Sequence, residues 1–580
     1  MDIKPIVIRD YLESLTENEE LDSIFPILLE SKGFIILSKP KEYKGFPQYG
    51  KDIVAVGTDF EDGVKRRFYF EIKGGADRHI TTQTYKKDDG IRESIIEAKD
   101  REFSSTYEGF ENLPLKIVLV HNGEIKANVK ETFDNFITKL FPKNDNLKFE
   151  RWGISELTKL FSEHLFGAYL LTDQTSTKLF NRVLVNLNVS DGVSKDYIDL
   201  LNILLSKEEW KHYKNEMPRA WRLIFESLKL IAFIIYTESK EYNNLEIAKR
   251  YTTHLVIKFW HWILKNKLEN DNNVTKYFNE IFFFYFYEVL GNYFSRTMLI
   301  AEIKDGLHSE KAGRYEQIGY TTRTFEYLYY FCFVINTEKY NPEFDSKLYI
   351  EWLLKFINAN SVSARPLIDI HSITIINILN ILIDFDKTES AKQYLLNILG
   401  YLKLRKENYD ILPDANNSIE NVIRFTINGT KPVYYSDSTS PLLSVLLEYI
   451  AILDLENAYY EISEFILKKN IDLGVFVPHH GINSTSKELI SDLENDLEEQ
   501  LFSKSIYDGY QSDLSLKEDL ISDTVLDFNK FKEKIKKRKE EFSYSYRTDN
   551  AGYPFLKSLA HYYYMTPYFP DKWRVMIKTD

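Results

Sequence analysis

The chain has 580 residues, of which 44% are hydrophobic and 15% aromatic, and it carries a formal net charge of −13. This length implies two or more domains with sizeable cores, and the acidic balance excludes broad, non-specific adhesion to nucleic acid, which needs a cationic surface. The lone cysteine, Cys332, excludes disulfides and cysteine-based metal sites within one chain, and the longest uncharged run, Ile370 to Ile383, is too short for a membrane span.

The start, MDIKPIVIRDYLES, lacks the basic and then apolar pattern of a signal peptide, so a cytoplasmic, reducing location is expected. Residues 1 to 9 read as an extended arm. Asp10 to Ser31 has Leu21, Ile24, Ile27 and Leu28 at helical spacing, with Gly33 as a stop and Pro26 either kinking the helix or splitting it in two. A strand follows at Phe34 to Leu37, then a loop from Pro40 to Tyr49.

Gly50 to Gly75 reads GKDIVAVGTDFEDGVKRRFYFEIKGG. Two alternating apolar runs, Ile53 to Val56 and Phe68 to Ile72, flank Asp62-Gly63, a strong hairpin signal. Glu71 and Lys73 share a strand face. Closure on Asp62-Gly63 as a two-residue turn sets Asp52 opposite Lys73 and diagonal to Glu71. A slip of one throws Asp52 to the other face, and a slip of two sets it opposite Glu71. Two carboxylates this close repel unless a cation lies between them, and an oxygen-only ligand set favours Mg²⁺ or Mn²⁺. An ammonium beside a metal-bound water can orient it and offset charge developing on phosphorus. The same residues are also compatible with an ordinary solvated hairpin, whose cross-strand ion pairs contribute roughly 0.2–1 kcal/mol.

Asp52 followed by Glu71-Ile72-Lys73 resembles the Asp…Glu-x-Lys signature of the PD-(D/E)XK, or restriction-endonuclease-like, nucleases. The resemblance implies that Asp52 and Glu71 hold the metal, that Ile72 lends its backbone carbonyl, and that Lys73 positions the attacking water. It also implies an assisting acid on the preceding helix, where Glu30 stands. Second-rank contacts to a nucleic-acid backbone are expected from the polar loop after the hairpin, at His79, Gln83, Lys86 and Lys87.

Further along, a helix is expected from Ile91 to Phe103 with Ile91, Ile95 and Ala98 facing inward. A buried strand follows at Leu115 to Val120, then a helix at Val129 to Phe141, a strand at Leu147 to Trp152 and a helix at Ile154 to Phe166. This order predicts an α/β/α sandwich over residues 1–172. The element order, rather than the hairpin alone, favours the nuclease-like domain. Residues 1–30 hold eight acidic against two basic side chains, whereas residues 31–170 hold 22 against 23, so a local basic cleft is compatible with the acidic whole.

Asp173 to Lys178 reads as a connector. Beyond it, helical periodicity recurs at Leu223 to Tyr236, His254 to Leu268, Val274 to Phe294, Thr322 to Ile335, Ser346 to Ile357, Ile370 to Phe385, Ala391 to Leu404, Pro441 to Leu453 and Ala458 to Lys468. Residues 173–580 are therefore expected to form a large all-α domain, compatible with stacked helical hairpins. Cys332 and the aromatic run Ile281 to Tyr287 read as core or subunit interface. The basic helix Phe528 to Phe542 could follow phosphates through Lys532, Lys536 and Lys539, although its glutamates favour a solvated helix. His479-His480 has no spaced partner, and the aromatic tail must pack on something.

Two functional expectations follow. One is a Mg²⁺- or Mn²⁺-dependent endonuclease acting on nucleic acid, DNA ahead of RNA, restrained by its helical region. It resembles effector nucleases of bacterial antiviral defence, with room for homo-oligomerisation and for a separately encoded sensor or ATPase. The other is a catalytically inactive nuclease-fold scaffold that binds a protein partner. No membrane partner is expected.

Overall fold

A helix, α1 (Lys4–Ser14), opens the chain where an extended arm was expected. Val7, Ile8, Tyr11 and Leu12 make one buried face at helical spacing, and covering that face stabilises the helix. The computed structural model describes residues 4–38, 50–88, 90–165, 171–189, 192–211, 213, 217–308, 316–478, 498–503, 510–513, 527–541 and 546–577. The loop expected at 40–49 lies outside them.

After α1 come a π-helical turn, Glu17–Leu21, and α2 (Asp22–Ser31). The break thus falls before residue 17, not at Pro26. Pro26 is buried in α2 only four residues after its first residue, so the missing N–H forgoes just the bond to the Asp22 carbonyl.

Five strands form one sheet in sequential order: β1 (Ile35–Ser38), β2 (Ile53–Thr58), β3 (Lys65–Lys73), β4 (Leu115–His121) and β5 (Leu147–Trp152). The β1–β2 and β2–β3 pairs are antiparallel, and the β3–β4 and β4–β5 pairs are parallel. Parallel neighbours need crossovers, supplied here by α4 (Ile91–Asp100) and α5 (Ala127–Leu140), while α3 (Thr82–Lys86) is a short insertion before them.

Ile91, Ile95, Val129 and Phe133 of the two crossover helices cluster with Leu119 on one sheet face. The expected inward residues of α4, Ile91, Ile95 and Ala98, are all buried. On the other face, Phe25 of α2 lies edge-on to Phe70, centroids 5.4 Å apart, and close to Trp152. Helix α6 (Ile154–His164) follows β5. Helices therefore cover both faces of a mixed sheet.

The hairpin does not close as a two-residue turn. Ile53 pairs with Phe70 and Thr58 with Lys65, and the Asp59 amide still donates to Val64 O at 2.9 Å. The connection is longer, with Gly63 at φ +72° and the Asp62 carboxylate accepting the Val64 amide at 3.0 Å. Asp62 also binds Arg66 at 2.6 Å and Lys148 of β5 at 2.7 Å. This register is two residues away from that of a turn at Asp62-Gly63.

Two compact units divide the chain: residues 1–255 with 276–284, and residues 256–275 with 285–580. The boundary expected at 172 falls inside the first unit. There, DQTSTK begins a helix, Gln174–Val185, capped by Asp173, rather than a connector. Helices Lys195–Ser206 and Arg219–Glu241 follow, and α1 packs against the latter. Lys229 of that helix contacts Glu280 at 2.6 Å, Glu226 at 3.1 Å and Asp10 of α1 at 3.6 Å.

The second unit is mainly helical, including Glu316–Glu338, His371–Asp384, Thr388–Tyr409 and Pro441–Ile452. It is not all-α, because Val475–Pro478 pairs antiparallel with Tyr510–Asp513. Cys332 is fully buried. The aromatic tail packs as expected: Tyr562 stacks on Tyr329 at 3.6 Å, and Trp573 donates its indole N–H to Glu448 at 2.6 Å. Among the described residues, no helix is long and apolar enough to cross a membrane.

Candidate functional site

The end of β3 and the residue before β2 meet in the first unit. The Asp52 amide donates to Phe70 O at 2.9 Å, and the Ile72 amide donates to Asp52 Oδ2 at 2.6 Å. Asp52 is thereby pinned beside Glu71, as the two-residue slip in register requires. Lys73 reaches back along its own strand to Glu71, with Nζ 2.6 Å from Oε1. The structure thus brings together Asp52, Glu71, Ile72 and Lys73.

Glu71 is only 3% exposed. Burial pushes the Asp52 carboxyl well above the usual range and the Glu71 charge adds to the effect, while Lys73 and the Ile72 amide oppose it. Burial works against the Lys73 ammonium too, but Glu71, Glu17 and Asp52 outweigh it and raise its pKa. Lys73 therefore stays a cation at any physiological pH. It can orient and stabilise anionic groups but cannot serve as a general base.

Glu30 does not join this group. It is exposed, one residue from the end of α2, which leads into β1. Ile35 of β1 pairs with Val56, four residues along β2 from Asp52 and about 13 Å away at the rise of a strand. An acid from the other end of this helical stretch approaches instead: Glu17 Oε1 lies 4.0 Å from Lys73 Nζ. Burial raises the Glu17 carboxyl, with Lys73 acting against it.

Gly74 makes that approach feasible. A Cβ on Gly74 would lie 2.6 Å from the Glu17 amide nitrogen, so the backbones could not pass so closely with any larger residue. Within the Glu17–Leu21 turn, Glu20 accepts hydrogen bonds from the Thr16 amide at 2.8 Å and from the Arg219 guanidinium. Arg219 is the first residue of helix Arg219–Glu241.

Sequence reasoning missed Glu17, Lys51 and His121. Lys51 is buried near the Tyr69 ring, and burial lowers its pKa to about 8 although Glu97 and Glu71 counteract. His121, paired with Lys73 across β3–β4, is buried and held near 4 by that burial, with Nδ1 2.9 Å from Arg78 O. The glycine pair after Lys73 and the acidic run ENEE were the available signals for Glu17.

The second-rank candidates divide. Gln83 and Lys86 are exposed on α3, Lys87 pairs with Asp77 at 2.7 Å, and His79 Nδ1 accepts the Glu124 amide at 3.1 Å. In helix Phe528–Glu541, Lys532 pairs with Asp454 at 2.7 Å, Lys536 lies 3.7 Å from Glu533, and Lys539 donates to Ile577 O at 2.7 Å. These partners favour the solvated-helix reading over a phosphate track. His479-His480 lies outside the described residues.

Among the described residues, no three His, Cys, Asp or Glu side chains are grouped to hold a metal ion by themselves. The donors are instead two carboxylates, Asp52 and Glu71, which suit a hard divalent ion that keeps several water ligands. The elevated Asp52 carboxyl is the sign of a place where added positive charge is favourable. No known protein family matches the chain, and neither a curated protein nor a solved structure matches it.

Proposed function

We propose that this protein is a metal-dependent nuclease of the restriction-endonuclease-like kind, hydrolysing phosphodiester bonds in DNA. The observation that carries the reading is the convergence of Asp52, Glu71 and Lys73 at the end of β3, with the Ile72 amide fixing Asp52. Asp52 and Glu71 would hold Mg²⁺ or Mn²⁺. When bound, such an ion supplies a water of lowered pKa and a Lewis acid for a phosphate oxygen.

The chain's own residues define the rest. Lys73, permanently charged, offsets negative charge as it builds on the phosphate. Glu17, 4.0 Å from Lys73 Nζ, keeps that ammonium from resting on Glu71 alone. The large helical remainder is assigned to control of the nuclease, in the manner of restrained defence effectors.

Plasmid cleavage with Mg²⁺ or Mn²⁺, run beside direct Mn²⁺ titration, tests the reading. Nicking by the wild type that is lost in Asp52→Asn and Glu71→Gln supports it. If the wild type neither cuts DNA nor binds Mn²⁺, the nuclease reading falls and the inactive scaffold replaces it.

A further inference from the structure

A cavity of about 480 Å³ lies in the second unit, between the ends of helices Glu316–Glu338 and His371–Asp384 and the C-terminal segment 546–577. Its wall is unusually rich in lysine. Lys339 is neutralised by Asp384 at 3.1 Å and Lys557 by Asp549 at 2.5 Å. Arg574 is committed to Glu448, at 2.7 and 2.9 Å through two of its nitrogens.

Two further ammonium groups, Lys539 and Lys572, line the cavity. Among the described residues, Lys572 has no ion pair or side-chain hydrogen bond, and Lys539 meets only the Ile577 carbonyl. Lys557 is 2% exposed and sits 3.2 Å from the centre of the Tyr546 ring. Burial, followed by repulsion from Lys572, pushes it down to about 7. Burial raises the Asp571 carboxyl, while the charges of Lys572 and then Lys557 work against that rise. The lining thus sets Lys339, Lys539, Lys557, Lys572 and Arg574 against Asp384, Asp549 and Asp571, with Glu448 behind Arg574, and this excess of positive charge favours an anion.

The donor types narrow the anion. The guanidinium of Arg574, which would match a planar carboxylate in bidentate fashion, is already occupied, and the free donors are point-charge ammoniums suited to a tetrahedral oxyanion. The opposite wall is polar but neutral: Asn336 donates to Asn377 at 3.1 Å and Asn377 donates to the Tyr568 hydroxyl at 2.9 Å. The volume lies within the range of small-molecule sites. We propose that this cavity binds a small organic phosphate, with Lys539 and Lys572 around the phosphate and the Asn336–Asn377–Tyr568 wall beside the organic part.

Calorimetric titration of the full chain with AMP, inorganic pyrophosphate and citrate tests this independently of any cleavage. AMP and pyrophosphate should bind, and Lys572→Ala and Lys539→Ala should each weaken binding about ten-fold or more. Both lysines lie at the cavity rim rather than in the core, so the variants should fold. Lys403→Ala, which removes a surface pair with Glu461, should bind like the wild type. Absence of binding by the wild type, unchanged affinity in both cavity variants, or citrate binding as tightly as pyrophosphate would each overturn the assignment.

Discussion

Lys73 and Glu71 stand two residues apart on one strand face and form an ion pair of 2.6 Å. Their roles in the proposed reaction are separable. Lys73→Met should still bind Mn²⁺, because it leaves both carboxylates and relieves one competing cation, yet cleave at least about 100-fold more slowly. Glu71→Gln should lose both properties. Calorimetry and plasmid nicking on the same preparations read the two effects, and loss of Mn²⁺ binding in Lys73→Met would contradict the assigned roles.

Gly74→Ala is expected to separate Glu17 from Lys73. Its new Cβ would meet backbone, at 2.6 Å from Glu17 N and 2.9 Å from Thr16 C, which cannot swing aside as a side chain can. The cost should be roughly 1–3 kcal/mol, read by chemical denaturation. Wild-type stability in this variant would show that the turn yields freely.

Asp369 gives a pH dependence of definite sign. It is buried, accepts the Leu442 amide at 2.7 Å, and is pushed up to about 7, first by burial. The folded protein holds this proton up to about pH 7, whereas the unfolded chain releases it near pH 4. Stability should therefore fall as pH rises from about 4 to 7 and then level off. Asp369→Asn removes that slope, so at pH 8 it should be more stable than wild type by roughly 2–4 kcal/mol. Denaturation midpoints at pH 5 and 8 would show it, and an equal difference at both pH values would refute it.

Glu448 is fully buried and receives both Trp573 and Arg574. Glu448→Ala strands a buried guanidinium and should cost about 3–5 kcal/mol, visible as early unfolding of the second unit by calorimetry. A loss of less than about 1 kcal/mol would mean that water replaces the carboxylate.

Much of the sheet was legible because its signals are local. A continuous apolar run gave β4, and Ile91, Ile95 and Ala98 gave the inner face of α4. The hairpin register was not legible from Asp62-Gly63 alone. Asp62 is held by Lys148, 86 residues away, and that long-range bond helps set a longer connection. Glu30 stands on a helix before the strand, where the resemblance expects an acid. Distance along the chain ran opposite to distance in space, because α2 carries residue 30 away from the site and leaves Glu17 beside it. Lys51 and His121 sit in no motif, and only folding brings them near Glu71 and Lys73.

Helix α1 has its buried face against Arg219–Glu241, and the residue that opens this helix grips the turn bearing Glu17. A truncation at residue 172 would thus not leave a self-supporting domain. It would remove one of the two helices that α1 packs against, and with it the guanidinium that holds Glu20 in the turn bearing Glu17. A piece that keeps this contact must extend at least through Glu241, so the sheet and the helix that supports α1 cannot be inherited as separate parts joined near residue 172.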